Sequence, residues 1–117
     1  MRKLVAGDLV LDDEEVSFED ATVHVTLEDV SRVDAESKIV AQQTIRHVSH
    51  EAGEKDTVRF TLDGEIDDDK ADYVVRAHVD LNGDGKIRPG HYLTMESFPV
   101  LTHGHSDRVT VRVRRIR

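Results

Sequence analysis

Apolar residues at every second position constrain this chain more than any other feature. Tyr73, Val75, Ala77 and Val79 share one parity, continued by Leu81, while Val74, Arg76, His78 and Asp80 share the other. From Ala21 to Asp29 the same rule holds. Val23, Val25 and Leu27 face one way, and Thr22, His24, Thr26 and Glu28 the other. Successive side chains of a strand point to opposite faces, so period two predicts strands with one face buried and one wet. Valine dominates the apolar residues, and its branched Cβ favours strand over helix.

The same reading extends along the chain. Leu4 to Leu11 is a first strand, ended by Asp12-Asp13-Glu14-Glu15, and a short connection carries Phe18 and Asp20. Ser31 to Ser37 is a loop of capping and turn residues with room for a single helical turn. From Lys38 to Val48 the parity breaks: Ile39, Ala41 and Ile45 keep one phase, Val40 and Val48 the other. A long strand with a bulge accounts for this better than a helix. A turn through Gly53, a strand over Val58, Phe60 and Leu62, and an acidic connection from Ile66 to Asp72 follow. After Tyr73–Val79 come a glycine-rich loop, a strand from His91 to Glu96 bracketed by Pro89 and Pro99, a turn at Thr102–Ser106, and a strand carrying Val109, Val111 and Val113. The expectation is an all-β chain: a single antiparallel β-sandwich of about seven strands, immunoglobulin- or transthyretin-like, with one domain over residues 1–117.

Composition narrows the function classes. The 117 residues carry a net charge of −8, which disfavours nucleic acid or anionic lipid as a general partner, because phosphate contacts need clustered Lys and Arg. The charge is uneven, with Asp63, Glu65, Asp67, Asp68, Asp69 and Asp72 crowding one segment and Arg108, Arg112, Arg114, Arg115 and Arg117 the C-terminus. There is no cysteine, so thiolate catalysis and disulfides are excluded. No apolar run approaches the roughly 18 residues of a membrane helix. Met1 to Gly7 has a basic start but no apolar h-region, since Asp8 interrupts it, which predicts a cytosolic chain or a mature form whose leader has been removed.

One loop has metal-ligand spacing. Asp80-Leu81-Asn82-Gly83-Asp84-Gly85-Lys86-Ile87 places Asp80, Asn82 and Asp84 at the first, third and fifth positions of an EF-hand-like loop, Gly85 at the sixth and the Lys86 carbonyl at the seventh. Calcium is the cation this spacing suits. The twelfth position is His91, where calcium needs a bidentate carboxylate, and Arg88 at the ninth opposes a cation. The alternative is a tight connection in which Asp80 and Asp84 cap backbone N–H groups.

Other constellations are weaker. The seven histidines include His47/His50 and His103/His105 pairs, and a His91–Met95–His103 copper cluster has no motif behind it. Ser49-His50-Glu51 sets a hydroxyl, an imidazole and a carboxylate side by side, but adjacency in sequence is not triad geometry. No nucleophile elbow, HExxH or phosphate loop appears, so a hydrolase is a distant third reading. The polar faces of Thr22-His24-Thr26-Glu28 and Thr110-Arg112-Arg114 suit pairing of a protein partner through an exposed strand edge.

The segment Ala21-Thr22-Val23-His24-Val25-Thr26-Leu27-Glu28-Asp29-Val30-Ser31-Arg32-Val33-Asp34-Ala35 resembles the YbaY-like group of bacterial envelope lipoproteins, itself similar to the YscW-type pilotins of type III secretion. The strands at Phe60 and Tyr73–Val79, the aspartate–glycine loop and Ser97-Phe98-Pro99-Val100-Leu101-Thr102 extend the resemblance over roughly residues 7–113. It implies a compact β-sandwich of the cell envelope or periplasm, typically lipid-anchored, in a group whose pilotin members bind and help localise an outer-membrane secretin. The signal peptide and lipobox cysteine of that group have no counterpart in the printed chain. The function expected is therefore a non-enzymatic binding or chaperone-like module, with a calcium-stabilised structural module as the alternative.

Overall fold

The computed structural model describes residues 2–32 and 34–117. Val33, in the loop predicted between Ser31 and Ser37, lies outside the described residues. Among the described residues nine strands run in chain order: β1 Arg2–Leu11, β2 Phe18–Asp29, β3 Lys38–His50, β4 Asp56–Gly64, β5 Tyr73–Asp80, β6 Tyr92–Leu93, β7 Pro99–Val100, β8 Arg108–Arg112 and β9 Arg114–Arg115. They form a three-stranded sheet, β4-β1-β8, and a six-stranded sheet, β3-β2-β5-β6-β9, with β7 also pairing β5. The fold is the expected all-β sandwich.

The inner faces follow the predicted parities. Val5 and Leu9 of β1, Val23, Val25 and Leu27 of β2, Leu62 of β4, Val75 and Val79 of β5 and Val111 of β8 are fully buried. Each such side chain contributes about 1.5–3 kcal/mol on leaving water, so these two facing sets form the driest part of the core.

Four details differ from the simple pattern, each for a local reason. First, β8 runs parallel to β1 rather than antiparallel, with Ala6 opposite Arg108 and Val10 opposite Arg112, since it is reached from β7 of the other sheet and not by a hairpin from β1. Second, β8 and β9 are separated by Val113 alone, and there the chain passes from one sheet to the other. Third, the predicted strand His91–Glu96 contracts to Tyr92–Leu93, and Pro99–Val100 pairs instead with the start of β5. Both short strands share β5, joined to it further by Val75 N–H donating to Phe98 O and Thr94 N–H donating to Ala77 O. Fourth, Phe18 belongs to β2 rather than to a connection, and its ring packs against Tyr92 and His50.

The parity break in β3 is a pair of bulges. Leu27 faces Ala41 while the next residue, Glu28, faces Ile39, which leaves Val40 unpaired. Between Val23–Ile45 and Ala21–Val48 the pairing slips again, and His47 there has a φ of 61°. Ile39 consequently turns outward and is 55% exposed.

Candidate functional site

The outer face of the six-stranded sheet carries the most chemistry. β2 and β5 lie side by side, with His24 opposite His78 and Thr26 opposite Arg76. Their wet parities therefore meet on one surface. The chain from Leu93 to Ser97 walls one side of it and Ile87 stands at one end. The result is an open groove of about 540 Å³, lined among others by His24, Val74, Arg76, His78, Leu93 and Met95. Ile87 and Met95 are more than half exposed. Glu28, by contrast, is buried, accepts hydrogen bonds from Thr26 and Ser37 hydroxyls, and pairs with Arg76 at 3.5 Å.

At one end of this groove Asp80 closes β5 and organises the loop after it. Its Oδ1 accepts from the N–H groups of Asn82 and Gly83 at 3.0 and 2.9 Å. Its Oδ2 accepts from Gly85 N–H at 2.7 Å and from His24 Nε2 at 3.1 Å. Burial alone raises a carboxylate pKa, but these four donors more than offset it and hold Asp80 far below the usual range. Gly83 and Gly85 take φ of 77° and 78°, the left-handed conformation that lets successive N–H groups turn toward one carboxylate. Asp84 accepts from Lys86 N–H at 3.1 Å and from the Arg88 guanidinium.

The residues predicted as calcium ligands, Asp80, Asn82, Asp84 and Lys86, thus share one turn, and the side-chain oxygens of Asp80, Asn82 and Asp84 are engaged by donors of the protein itself. Asn82 Oδ1 accepts from His91 Nε2 at 2.8 Å. His91 is buried, and its Nδ1 lies 2.9 Å from His78 Nε2. The rings of His24, His78 and His91 follow one another at centroid distances of 5.5 and 5.1 Å. Burial lowers the His78 pKa; Asp80 opposes this, and the neighbouring His91 and His24 reinforce it.

His91 is the residue whose place sequence reasoning missed. By spacing it is the twelfth position of a calcium loop, whereas the pairing of β5 with β6 brings its ring against His78. The available signal was the shared wet parity of His24, His78 and Asp80.

The remaining candidates scatter. His50 binds Asp56 Oδ2 and the Asp13 carbonyl, at 2.7 and 2.8 Å. Ser49 Oγ accepts instead from Asp20 N–H, so Ser49, His50 and Glu51 make no triad. His47 pairs with Asp20, and His103 lies against Asp72 and the Lys70 carbonyl, apart from the His91 cluster. Of the C-terminal arginines, Arg112 pairs with Asp12 and Arg115 with Asp13 and Glu15. The Thr22–Glu28 face belongs to an interior strand, flanked by β3 and β5, while Thr110 and Arg112 sit on β8, at the edge of the three-stranded sheet. Among the described residues no helix is long and apolar enough to cross a membrane.

Comparison with known proteins places this architecture. Residues 3–113 match the family model described as type III secretion system lipoprotein chaperone (YscW). No curated protein is significantly similar to the chain. Among solved structures, the chain is similar to an alternative pilotin from the type II secretion system of Vibrio cholerae, at 22% identity and a TM-score of 0.69, over 94% of this chain and 95% of that one. At that identity the likeness establishes a shared fold.

Proposed function

The chain belongs to the YscW family of type III secretion system lipoprotein chaperones, and from that membership we propose that it is a pilot module of the cell envelope that binds a segment of an outer-membrane secretin. It is a non-catalytic protein of a chaperone family whose partner is a protein. The observation that carries the reading is the extent of the match, which runs from β1 past the end of β8 and so takes in both sheets.

The binding surface this geometry favours is the groove on β2 and β5. Its floor mixes the apolar side chains of Val74 and Leu93 with the polar Thr26, Arg76 and His78, and the exposed Ile87 and Met95 stand along it. Such a surface suits a partner segment anchored by a few apolar side chains and fixed by polar contacts. The edge of β8 is the second reading. It pairs with β1 on one side only in the sheet order, and Arg108, Thr110 and Arg112 are exposed along it. Outward charge of this kind also guards an edge against unwanted pairing, which ranks the edge below the groove.

Titration of the purified chain with the secretin of the same secretion system separates the two. Ile87→Glu and Met95→Glu are expected to weaken binding by about tenfold or more, as loss of a buried apolar anchor does, with Thr110→Ala and Arg112→Ala unchanged. The reverse pattern assigns the edge. No measurable binding by the unaltered chain overturns the pilot reading.

A further inference from the structure

We propose that His78, His91 and Asp80 form a binding site for a divalent transition-metal ion of the imidazole-preferring class, such as Ni²⁺ or Zn²⁺. The inference is independent of the secretin reading. One ligand-type atom from each of the three residues lies within 4.8 Å of the other two, and Asp80 and His91 are fully buried. Two ligands about 2.0–2.2 Å from one ion stand at most roughly 4.4 Å apart, so small side-chain adjustments bring the three onto one ion.

The hydrogen bonds around the cluster prepare it for this. The Asn82 side-chain oxygen only accepts, so the 2.8 Å contact fixes the proton of His91 on Nε2. Nδ1 of His91 is therefore a bare lone pair, and it points at His78 Nε2, 2.9 Å away. Metal-binding histidines are characteristically oriented in this manner, with the second ring nitrogen donating to an oxygen of the protein. Asp80 is oriented as firmly, by three backbone N–H groups and His24.

In the metal-free network His78 Nε2–H donates to His91 Nδ1. On binding, that proton moves to His78 Nδ1, the ring stays neutral, and both nitrogens turn their lone pairs toward an ion that sits beside the line joining them. Two nitrogens 2.9 Å apart and about 2.0–2.1 Å from one ion subtend close to a right angle, the bite of tetragonal coordination, and parting the rings by about half an ångström opens it to the tetrahedral angle that zinc prefers. Asp80 then exchanges its contact with the half-exposed His24 for the metal. His78 lines the groove and provides the route of entry. Two imidazoles and one carboxylate suit nickel, copper or zinc, and not the hard cations calcium and magnesium.

The test is calorimetric titration of the whole chain, at about neutral pH, with Ni²⁺ and separately with Zn²⁺. One ion per chain is expected for at least one of them. His78→Ala, which removes a direct ligand at a partly exposed ring, weakens that binding by at least the roughly 10–100-fold that loss of an outer-shell partner costs, whereas His103→Ala leaves it unchanged. His91 is buried, so its role is read in the unaltered protein: in imidazole ¹⁵N spectra with Zn²⁺, the Nδ1 resonance moves while Nε2 stays protonated. Absence of saturable binding, unaltered binding in His78→Ala, or an unmoved His91 Nδ1 resonance at saturation overturns the assignment.

Discussion

The Tyr92 hydroxyl donates to Asp13 Oδ2 at 2.6 Å, joining the six-stranded sheet to the connection between β1 and β2. Asp13 gathers further partners: its carboxylate accepts from Glu15 N–H and faces Arg115, and its carbonyl accepts from His50 and from Gly53 N–H. Because the acceptor is charged, Tyr92→Phe is expected to cost about 1–2 kcal/mol. The remaining donors keep Asp13 from being stranded, which holds the cost below that of removing the carboxylate. Urea denaturation of the two proteins measures it, and an unchanged midpoint contradicts the assigned role.

Asp80 and Asp84 stand four residues apart in one loop and differ in burial. Asp80→Ala removes the acceptor of four donors, three of them backbone N–H groups. The expected loss is about 3 kcal/mol or more, since buried donors left unsatisfied lose their water without recompense. Asp84→Ala touches an exposed turn and is expected to change the same denaturation midpoint little. Equal effects at the two positions would show that Asp80 is not the organiser of the turn.

His50 gives stability a pH dependence of definite sign. Burial pushes its pKa down, but the Asp13 carbonyl and the Asp56 carboxylate outweigh this and leave it above the usual value. The folded state thus holds the proton more tightly than the unfolded one. The stabilisation is complete below the unfolded value of about 6.5 and is lost as pH rises through the folded value. His50→Gln removes this contribution. The stability difference between the two proteins should therefore shrink between mildly acidic and alkaline pH, and a constant difference in denaturant melts across that range would sink the assignment.

How far the sequence reached can be stated element by element. β2 and β5 were legible because each has one wet and one dry face, and the alternation records it directly. β3 was legible as a strand with a bulge, but the location of the slip was not. Val40 and the left-handed His47 are set by pairing with β2, a partner that neither their sequence neighbours nor their own pattern can name. The short strands β6, β7 and β9 are held by two paired residues each, too few for a periodicity. For the site, the spacing of Asp80, Asn82 and Asp84 marked a turn built on carboxylates. The meeting of His78 with His91 was hidden, because it depends on which strand lies beside β5.

Gly7 of β1 pairs with Phe60 of β4 on one side and Val109 of β8 on the other. A Cβ built there would lie 2.4 Å from the Val109 carbonyl oxygen and 2.5 Å from Phe60 Cζ. The oxygen belongs to the β8 backbone and the ring is buried, so neither moves aside cheaply. Gly7→Ala is expected to cost about 3 kcal/mol, at the upper end of overpacking effects, and to loosen the parallel β1–β8 pair first. Amide hydrogen exchange localises the effect: faster exchange in β8 than in β2 and β5 is the expected pattern, and a uniform loss of protection contradicts it.

The Asp80–Lys86 turn makes a further prediction about cations. Calcium takes six to eight oxygens. Here both Asp80 oxygens accept two donors each, Asn82 Oδ1 accepts from His91, and Asp84 is held by Lys86 N–H and Arg88. A calcium ion would have to displace several of these bonds and sit beside the Arg88 guanidinium. The melting temperature is therefore expected to stay constant as calcium or magnesium is raised to several millimolar. Ligands that bind the folded state stabilise it by RT ln(1 + [L]/Kd), about 2.7 kcal/mol at a hundredfold excess over Kd, so a real site would be plain in the melting curve. A saturable rise with calcium that Asp84→Ala abolishes would restore the turn as a calcium loop. A rise with nickel or zinc that survives Asp84→Ala belongs instead to the histidines beneath it.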